Sequence, residues 1–222
     1  MIDQHAADAL PIAADGTSPP HGLADTTPTI ANLDGDMIVL TTAGTVRLDQ
    51  GTQAIVTDPD ADPRYLTVYL WDPAASDSLG IDTNGTGITL SNEQNGVSEV
   101  RIDGDLIATF SGGDDTYIYI TLTPAATMDD VQRLVRAITY TSTVTNPTQV
   151  VRNSIEIELT DRSGDTAYAS VDVVVAPAGT LVLSGEADDL AGTGADDLFI
   201  ARGADLDDGD QLTGGGGSDT LR

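Results

Sequence analysis

Ile155-Glu156-Ile157-Glu158-Leu159-Thr160-Asp161-Arg162-Ser163-Gly164-Asp165-Thr166-Ala167-Tyr168-Ala169-Ser170-Val171-Asp172-Val173-Val174-Val175 sorts this chain into its fold class. Ile155, Ile157 and Leu159 alternate with Glu156, Glu158 and Thr160. Ala169, Val171, Val173 and Val175 alternate with Ser170, Asp172 and Val174. A period of two turns one face of an extended chain to a core and the other to water. Asp161 and Asp165 flank Ser163-Gly164 between the two runs, and Asp, Ser and Gly are turn residues. The stretch predicts a β-hairpin.

The same alternation recurs on both sides. Leu66, Val68 and Leu70 alternate with Tyr65, Thr67, Tyr69 and Trp71, and Ile118, Ile120 and Leu122 with Tyr117, Tyr119 and Thr121. Asp103-Gly104 separates Val100-Arg101-Ile102 from Leu106-Ile107-Ala108, a two-residue hairpin signal. Many short strands with regular turns predict an all-β sandwich. One segment is helical. Thr127 suits an N-cap, Asp129 and Asp130 fall in the first turn, and Val131, Leu134, Val135 and Ile138 keep the i, i+3, i+4, i+7 spacing. Arg133 and Arg136 come near its end, where cations suit the helix dipole. A short helix packed on the sandwich between two strands is expected.

The last nine residues, Gly214-Gly215-Gly216-Gly217-Ser218-Asp219-Thr220-Leu221-Arg222, fit G-G-x-G-x-D-x-U-x, the nonapeptide of the calcium-dependent parallel β-roll. Ala191-Gly192-Thr193-Gly194-Ala195-Asp196-Asp197-Leu198-Phe199 departs only at Ala191, while Gly185-Glu186-Ala187-Asp188-Asp189-Leu190 lacks the glycine run. Asp210-Gln211-Leu212 precedes Asp219 at the right period, but the spacing from Asp196 to Asp210 breaks it. The array reads as short and incomplete, and the chain as a piece of a longer protein. Its expected calcium ligands are the carboxylates of Asp196 and Asp219, with backbone oxygens of Gly192, Gly194, Gly214 and Gly216. The alternative is a flexible Gly/Asp-rich tail.

Composition narrows the partners. The chain has 222 residues, a formal net charge of -27 and nine basic residues, all of them Arg. Nucleic acid and acidic membrane surfaces are poor partners for such a chain. No apolar run reaches the length of a membrane span, so no membrane insertion is expected. With no Cys, disulfides contribute nothing, and a bound cation is the remaining external staple. Residues 1–27 carry Pro19-Pro20 and no periodicity, and read as a disordered arm that holds both histidines, His5 and His21.

Two resemblances follow from these residues. The terminal repeats resemble the RTX (hemolysin-type calcium-binding repeat) family of exported bacterial proteins. Residues 28–177 resemble the cadherin-like (Ig-like) repeats of large bacterial surface proteins. That likeness is carried by Pro28-Thr29-Ile30-Ala31-Asn32-Leu33, Thr57-Asp58-Pro59-Asp60-Ala61-Asp62, Val131 to Tyr140, and Leu159 to Asp165. The resemblances imply a cadherin-like/Ig-like β-sandwich over 28–177 with one short inserted helix. An incomplete RTX parallel β-roll follows over 178–222. They imply Ca2+ as the bound ion, type I export to the bacterial cell surface, neighbouring modules as partners, and an adhesive, structural role. The cadherin likeness implies calcium at the D-x-D run Asp58, Asp60 and Asp62, with Asp25 as a linker acid. Insertions are expected, because ordinary sandwiches of this kind run to about 100 residues.

Other readings stay open. Asp58, Asp60 and Asp62 can be an acidic surface turn without metal. Asp161 and Asp165 can be simple turn residues, and Asp34-Gly35-Asp36 and Asp114-Asp115 are weaker candidates. Tyr65, Tyr69, Trp71, Tyr117 and Tyr119 share outward faces on two strands. The expectation is that they pack under the helix or the opposite sheet; left exposed, they would make a cell-surface or glycan ligand surface. An enzyme is not expected. H-E-x-x-H is absent, neither histidine lies in the folded part, and Cys chemistry is excluded. The chain could still accompany a catalytic domain elsewhere in an exported enzyme.

Overall fold

The computed structural model describes residues 26–91, 96–112, 116–183, 185, 187–201 and 206–222. His5, His21, Asp25, Asp114, Asp115 and Glu186 lie outside the described residues. Thirteen strands precede residue 178: β1 (Thr29–Ala31), β2 (Met37–Leu40), β3 (Gly44–Arg47), β4 (Ile55–Thr57), β5 (Pro63–Leu70), β6 (Asp77–Ile81), β7 (Ile88–Leu90), β8 (Ser98–Ile102), β9 (Asp105–Gly112), β10 (Tyr117–Leu122), β11 (Ile138–Ser142), β12 (Val151–Asp161) and β13 (Thr166–Val175). One helix, α1 (Met128–Ala137), stands between β10 and β11. The remaining strands are β14 (Thr180–Val182), β15 (Asp189–Ala191), β16 (Leu198–Ile200), β17 (Gln211–Thr213) and β18 (Thr220–Leu221).

The chain is all-β apart from α1. Eight strands form one sheet in the order β2-β13-β12-β5-β10-β9-β8-β7; a second sheet runs β3-β11-β6, and β1 pairs with β4. All pairs are antiparallel except β2 with β13. The predicted hairpin is β12–β13, paired from Val151↔Val175 to Thr160↔Thr166. Ile155, Ile157, Leu159 and Val171 face inward and are fully buried. Leu66, Val68, Ile118 and Ile120 continue the same buried face. They share one hydrophobic cluster with Leu79 and Tyr140 of the smaller sheet and Val131, Leu134 and Val135 of α1. The sandwich is two sheets whose apolar faces meet, with the helix closing part of the gap. Each fully buried Leu or Ile contributes about 1.5–3 kcal/mol.

The turn at Asp103-Gly104 joins β8 to β9. Both residues have positive φ, 53° and 100°, the backbone of a two-residue hairpin whose twist matches its strands. Helix α1 begins as its sequence predicts: the Asp130 amide donates to Thr127 Oγ1, and the Thr127 amide donates to Asp130 Oδ2. Replacing Thr127 by Ala is expected to cost about 1 kcal/mol, read as a shift in the denaturation midpoint. The two helical arginines do more than complement a dipole. Arg133 bonds Asp103 at 2.7 Å and the Thr86 carbonyl, and Arg136 donates to the Ala54 carbonyl at 2.8 Å. They tie the helix to three loops.

After residue 178 the pairing becomes parallel. β14, β16 and β18 stack in one short sheet, and β15 and β17 in another. This is the geometry of a roll, in which each turn supplies one strand to each sheet. Thr180 pairs with Leu198, but Leu198 pairs with Thr220 and Asp189 with Gln211, so the turns are 18 and then 22 residues long. The four extra residues account for the broken spacing between Asp196 and Asp210. Val174 and Ala176 of the sandwich share a second apolar cluster with Ile200, joined by Val182 and Leu198. That cluster seats the roll on the end of β13.

Candidate metal centre

β4 ends in the turn Asp58-Pro59-Asp60-Ala61-Asp62, where the Ala61 amide donates to the Asp58 carbonyl at 3.1 Å and Ala61 takes a φ of 54°. β12 arrives alongside. Its register with β5 slips between Thr160 and Asp161, which sets Asp161 opposite Pro63, and the Arg162 amide donates to the Asp62 carbonyl at 3.1 Å. The slip carries the end of one hairpin onto the acidic turn of another. One carboxylate oxygen each from Asp58, Asp62 and Asp161 then lies within 4.8 Å of the other two.

Burial makes this cluster unusual. Asp161 is 0% exposed and Asp58 6%. Asp161 Oδ1 is saturated: it accepts from Ser163 Oγ at 2.7 Å, the Gly164 amide at 2.7 Å and the Asp165 amide at 2.9 Å. That explains the Ser163-Gly164 turn, which wraps its donors around one oxygen. Asp161 Oδ2 and Asp58 Oδ2 are buried and accept no hydrogen bond among the described residues. A buried polar atom without a partner costs about 1–3 kcal/mol, and more when charged. Burial, then the hydrogen bond with Asp60 and the charges of Asp60 and Asp62, push the Asp58 carboxyl up to about 6. Hydrogen bonds from Asp58 and then Thr26 hold Asp60 down at about 2.

The donor set is oxygen only, which suits a hard cation. Two oxygens on opposite sides of one Ca2+ are separated by about twice the 2.3–2.6 Å bond, so 4.8 Å is within its span. Thr26 Oγ1 donates to Asp60 Oδ1 at 2.7 Å, and Thr27 Oγ1 to Asp165 Oδ2 at 3.3 Å. Asp60 and Asp165, two of the expected ligands, thus hold the segment entering β1. The structure joins Asp161 to Asp58 and Asp62, where the sequence suggested two separate loops. Thr26 and Thr27 gave no signal in the sequence. Asp34 and Asp36 accept from separate backbone donors: Asp34 Oδ1 from the Ser170 amide, and Asp36 Oδ2 from the Gln50 amide.

In the roll the repeat acids tie turns together. Asp219 Oδ1 accepts from the Asp197 amide at 3.0 Å, and Asp210 Oδ1 from the Asp188 amide at 2.9 Å. Asp197 Oδ2 accepts from the Thr193 amide at 2.6 Å. The residue equivalent to Asp219 is therefore Asp197, one beyond the Asp196 chosen from the sequence. Asp196 instead accepts from the Ser218 amide at 2.8 Å. Aligning Gly192 with Gly214, 22 residues apart, gives the correct register. A side chain at Gly214 would collide with the Asp219 carboxylate, and one at Gly192 with the Gly214 carbonyl. Gly194 and Gly216 have no such neighbour closer than 3.5 Å.

No family model matches the chain, and no curated protein matches it. Neither the cadherin-like nor the RTX resemblance is carried by a family match. Among solved structures the ASH / PapD-like domain of human CEP192 (PapD-like domain 7) is similar at 11% identity and a TM-score of 0.25, over 78% of this chain and 97% of that one. So loose a likeness leaves the fold class to the sheets themselves. Among the described residues, no helix is long and apolar enough to cross a membrane.

Proposed function

We propose that this chain is a calcium-binding structural and adhesive module of a large exported bacterial surface protein. The observation that carries this is the pair of buried, partnerless oxygens, Asp58 Oδ2 and Asp161 Oδ2, beside Asp62. Three carboxylates at that spacing repel one another, and a divalent cation between them turns the repulsion into attraction. The cation would join the turn after β4 to the β12–β13 turn. It would also fix the segment entering β1 through Asp60 and Asp165, which makes the module rigid where calcium is plentiful. Calcium at Asp197 and Asp219 of the roll, with carbonyls of the glycine loops, belongs to the same reading, as do export and neighbouring modules. The cadherin-like and RTX resemblances and the charge of -27 support it.

The test is calcium titration by calorimetry and thermal melting at several pH values. Without calcium, Asp58 has a raised folded pKa, so the native state holds a proton that the unfolded state has lost between pH 3.8 and about 6. Stability conferred by that proton is present at low pH and lost as pH rises through about 6. Asp60, lowered to about 2, is ionised throughout this window. Calcium needs the ionised form of Asp58. Its affinity is expected to fall as pH drops from 7 to 5, with proton release on binding near pH 6. Chelated protein should gain stability over the same interval. Melting that ignores calcium at every pH would sink the proposal.

A further inference from the structure

The outer face of the eight-stranded sheet carries five of the six tyrosines and the tryptophan of the chain. Of six tyrosines, only Tyr140 is buried. Tyr65 and Tyr69 of β5, Tyr117 and Tyr119 of β10 and Tyr168 of β13 alternate outward, and the sole tryptophan, Trp71, continues the β5 row. They do not pack under the helix or the opposite sheet, as the sequence led us to expect. Tyr69 is 41% exposed, Trp71 57% and Tyr168 59%. Nothing in the fold requires rings here, because the core lies on the other side of these strands.

The register shows what stands between the rings. Tyr117, Tyr69, Glu156 and Ser170 form one row across β10, β5, β12 and β13; Tyr119, Thr67, Glu158 and Tyr168 form the next. Directly opposed side chains on a sheet are about 4.5–5.5 Å apart at Cβ, so each glutamate has a tyrosine at its flank. Glu156 and Glu158 are half-buried among these neighbours. The ion pairs among the described residues are Arg47–Asp82, Arg101–Glu99 and Arg133–Asp103, and neither glutamate has a cation. The face already holds one cation at its margin: the Arg64 guanidinium lies 4.7 Å from the Tyr65 ring centroid, and Tyr65 lies 5.4 Å from Tyr119.

From these rows we infer that the Tyr69–Tyr117–Glu156–Glu158 face is a docking surface for an arginine- or lysine-bearing segment of another protein. Ring faces attract a cation through their quadrupole, and a neighbouring carboxylate adds an ion pair. The two together select a basic side chain where neither alone would. Charge sets the occupant. A second copy of this chain brings -27 and no lysine to the contact, and a polyanion meets the same field. The surface shares no residue with the Asp58–Asp62–Asp161 cluster.

The sole tryptophan reports the test. A hexa-arginine peptide is titrated into the whole chain in about 150 mM salt, where the Debye length is near 8 Å and diffuse charge is largely screened. Saturable change in Trp71 fluorescence is expected. Binding should weaken at least tenfold in Tyr69→Ser/Tyr117→Ser, which keeps the net charge, and in Glu156→Gln/Glu158→Gln. It should stay unchanged in Asp105→Asn/Asp208→Asn, which removes the same charge from exposed positions elsewhere. All substituted side chains point outward or lie in exposed turns, and melting temperatures check that each variant folds. Equal binding by the tyrosine variant and the parent would reduce the effect to bulk acidity and overturn the inference. So would a neutral glucose hexasaccharide whose binding needs the tyrosines and ignores the glutamates, because the face would then serve a glycan.

Discussion

The Asp161→Asn protein is expected to melt at or above the parent's temperature in excess chelator, and below it in about 10 mM calcium. The amide keeps the shape of the carboxylate. Its oxygen can accept from Ser163 Oγ and the amides of Gly164 and Asp165, as Asp161 Oδ1 does. Its NH2 group then replaces the partnerless Oδ2 and donates toward Asp58 and Asp62, which relieves repulsion in a buried place. The same NH2 cannot ligate a cation. With a Kd of about 10⁻⁴–10⁻³ M and calcium near 10⁻² M, one lost site removes roughly 1.4–2.7 kcal/mol. In a chain of this length each kcal/mol moves the melting point by about 2–4 °C. The calcium-induced rise should therefore shrink by roughly 3–11 °C. Asp161→Ala should be worse than the parent in both conditions, since it strands two backbone amides of the turn. Differential scanning calorimetry reads all three. An undiminished calcium response in Asp161→Asn would remove that residue from the cation's ligands.

The second large effect concerns the joint between sandwich and roll. Ile200 is buried against Val174 and Ala176, with Val182 and Leu198 alongside. Ile200→Asp places an unpaired charge in that cluster and leaves a gap where the branched chain was. Large-to-small changes at such positions cost about 2–5 kcal/mol before any charge is counted. The roll's other buried apolar side chains among the described residues, Leu183 and Phe199, lie outside that cluster. The sandwich core does not include Ile200 and should keep its melting transition. Hydrogen exchange is the measurement: protection of amides in β14 to β18 should collapse while β5, β10 and β12 stay protected. Retained protection in the roll would mean that its turns hold themselves together through their ladders and acid–amide bonds.

Much of this architecture is written in local patterns. The alternation at Ile155–Thr160 and at Leu66–Leu70 predicts buried faces that are buried, and Thr127 caps the helix it was expected to cap. Short strands such as β6 (Asp-Ser-Leu-Gly-Ile) and β3 (Gly-Thr-Val-Arg) leave no such mark, because Gly and Ser break the apolar alternation and pairing with β11 is what orders them. The carboxylate cluster was half legible. Each acidic turn shows by itself, but Asp161 lies about a hundred residues from Asp58, and only the register slip at Thr160/Asp161 joins them. In the roll, the repeat pattern selects Asp196, whereas the 22-residue pairing sets the adjacent Asp197 opposite Asp219. The choice between them is made by which glycines the neighbouring turn can touch. The outward tyrosines followed from alternation. Their exposure did not, because a period of two says which side a ring faces and nothing about what covers that side.

The one parallel pair of the sandwich among the described residues, β2 with β13, has a consequence for a chain under tension. Met37 at the start of β2 pairs with Asp172, and Leu40 at its end pairs with Val175 at the end of β13. A pull transmitted from the residues before β1 reaches β2 at Met37, and a pull from the residues after β13 reaches that strand at Val175. The two loads act at opposite ends of the ladder. Its bonds, together with those from the Asp172 amide to Asp36 and the Ala176 amide to Leu40, are sheared as a group. An antiparallel pair here would be opened one bond at a time, like a zip. By running one strand the other way, the molecule spreads a tug on its backbone over a whole row of hydrogen bonds.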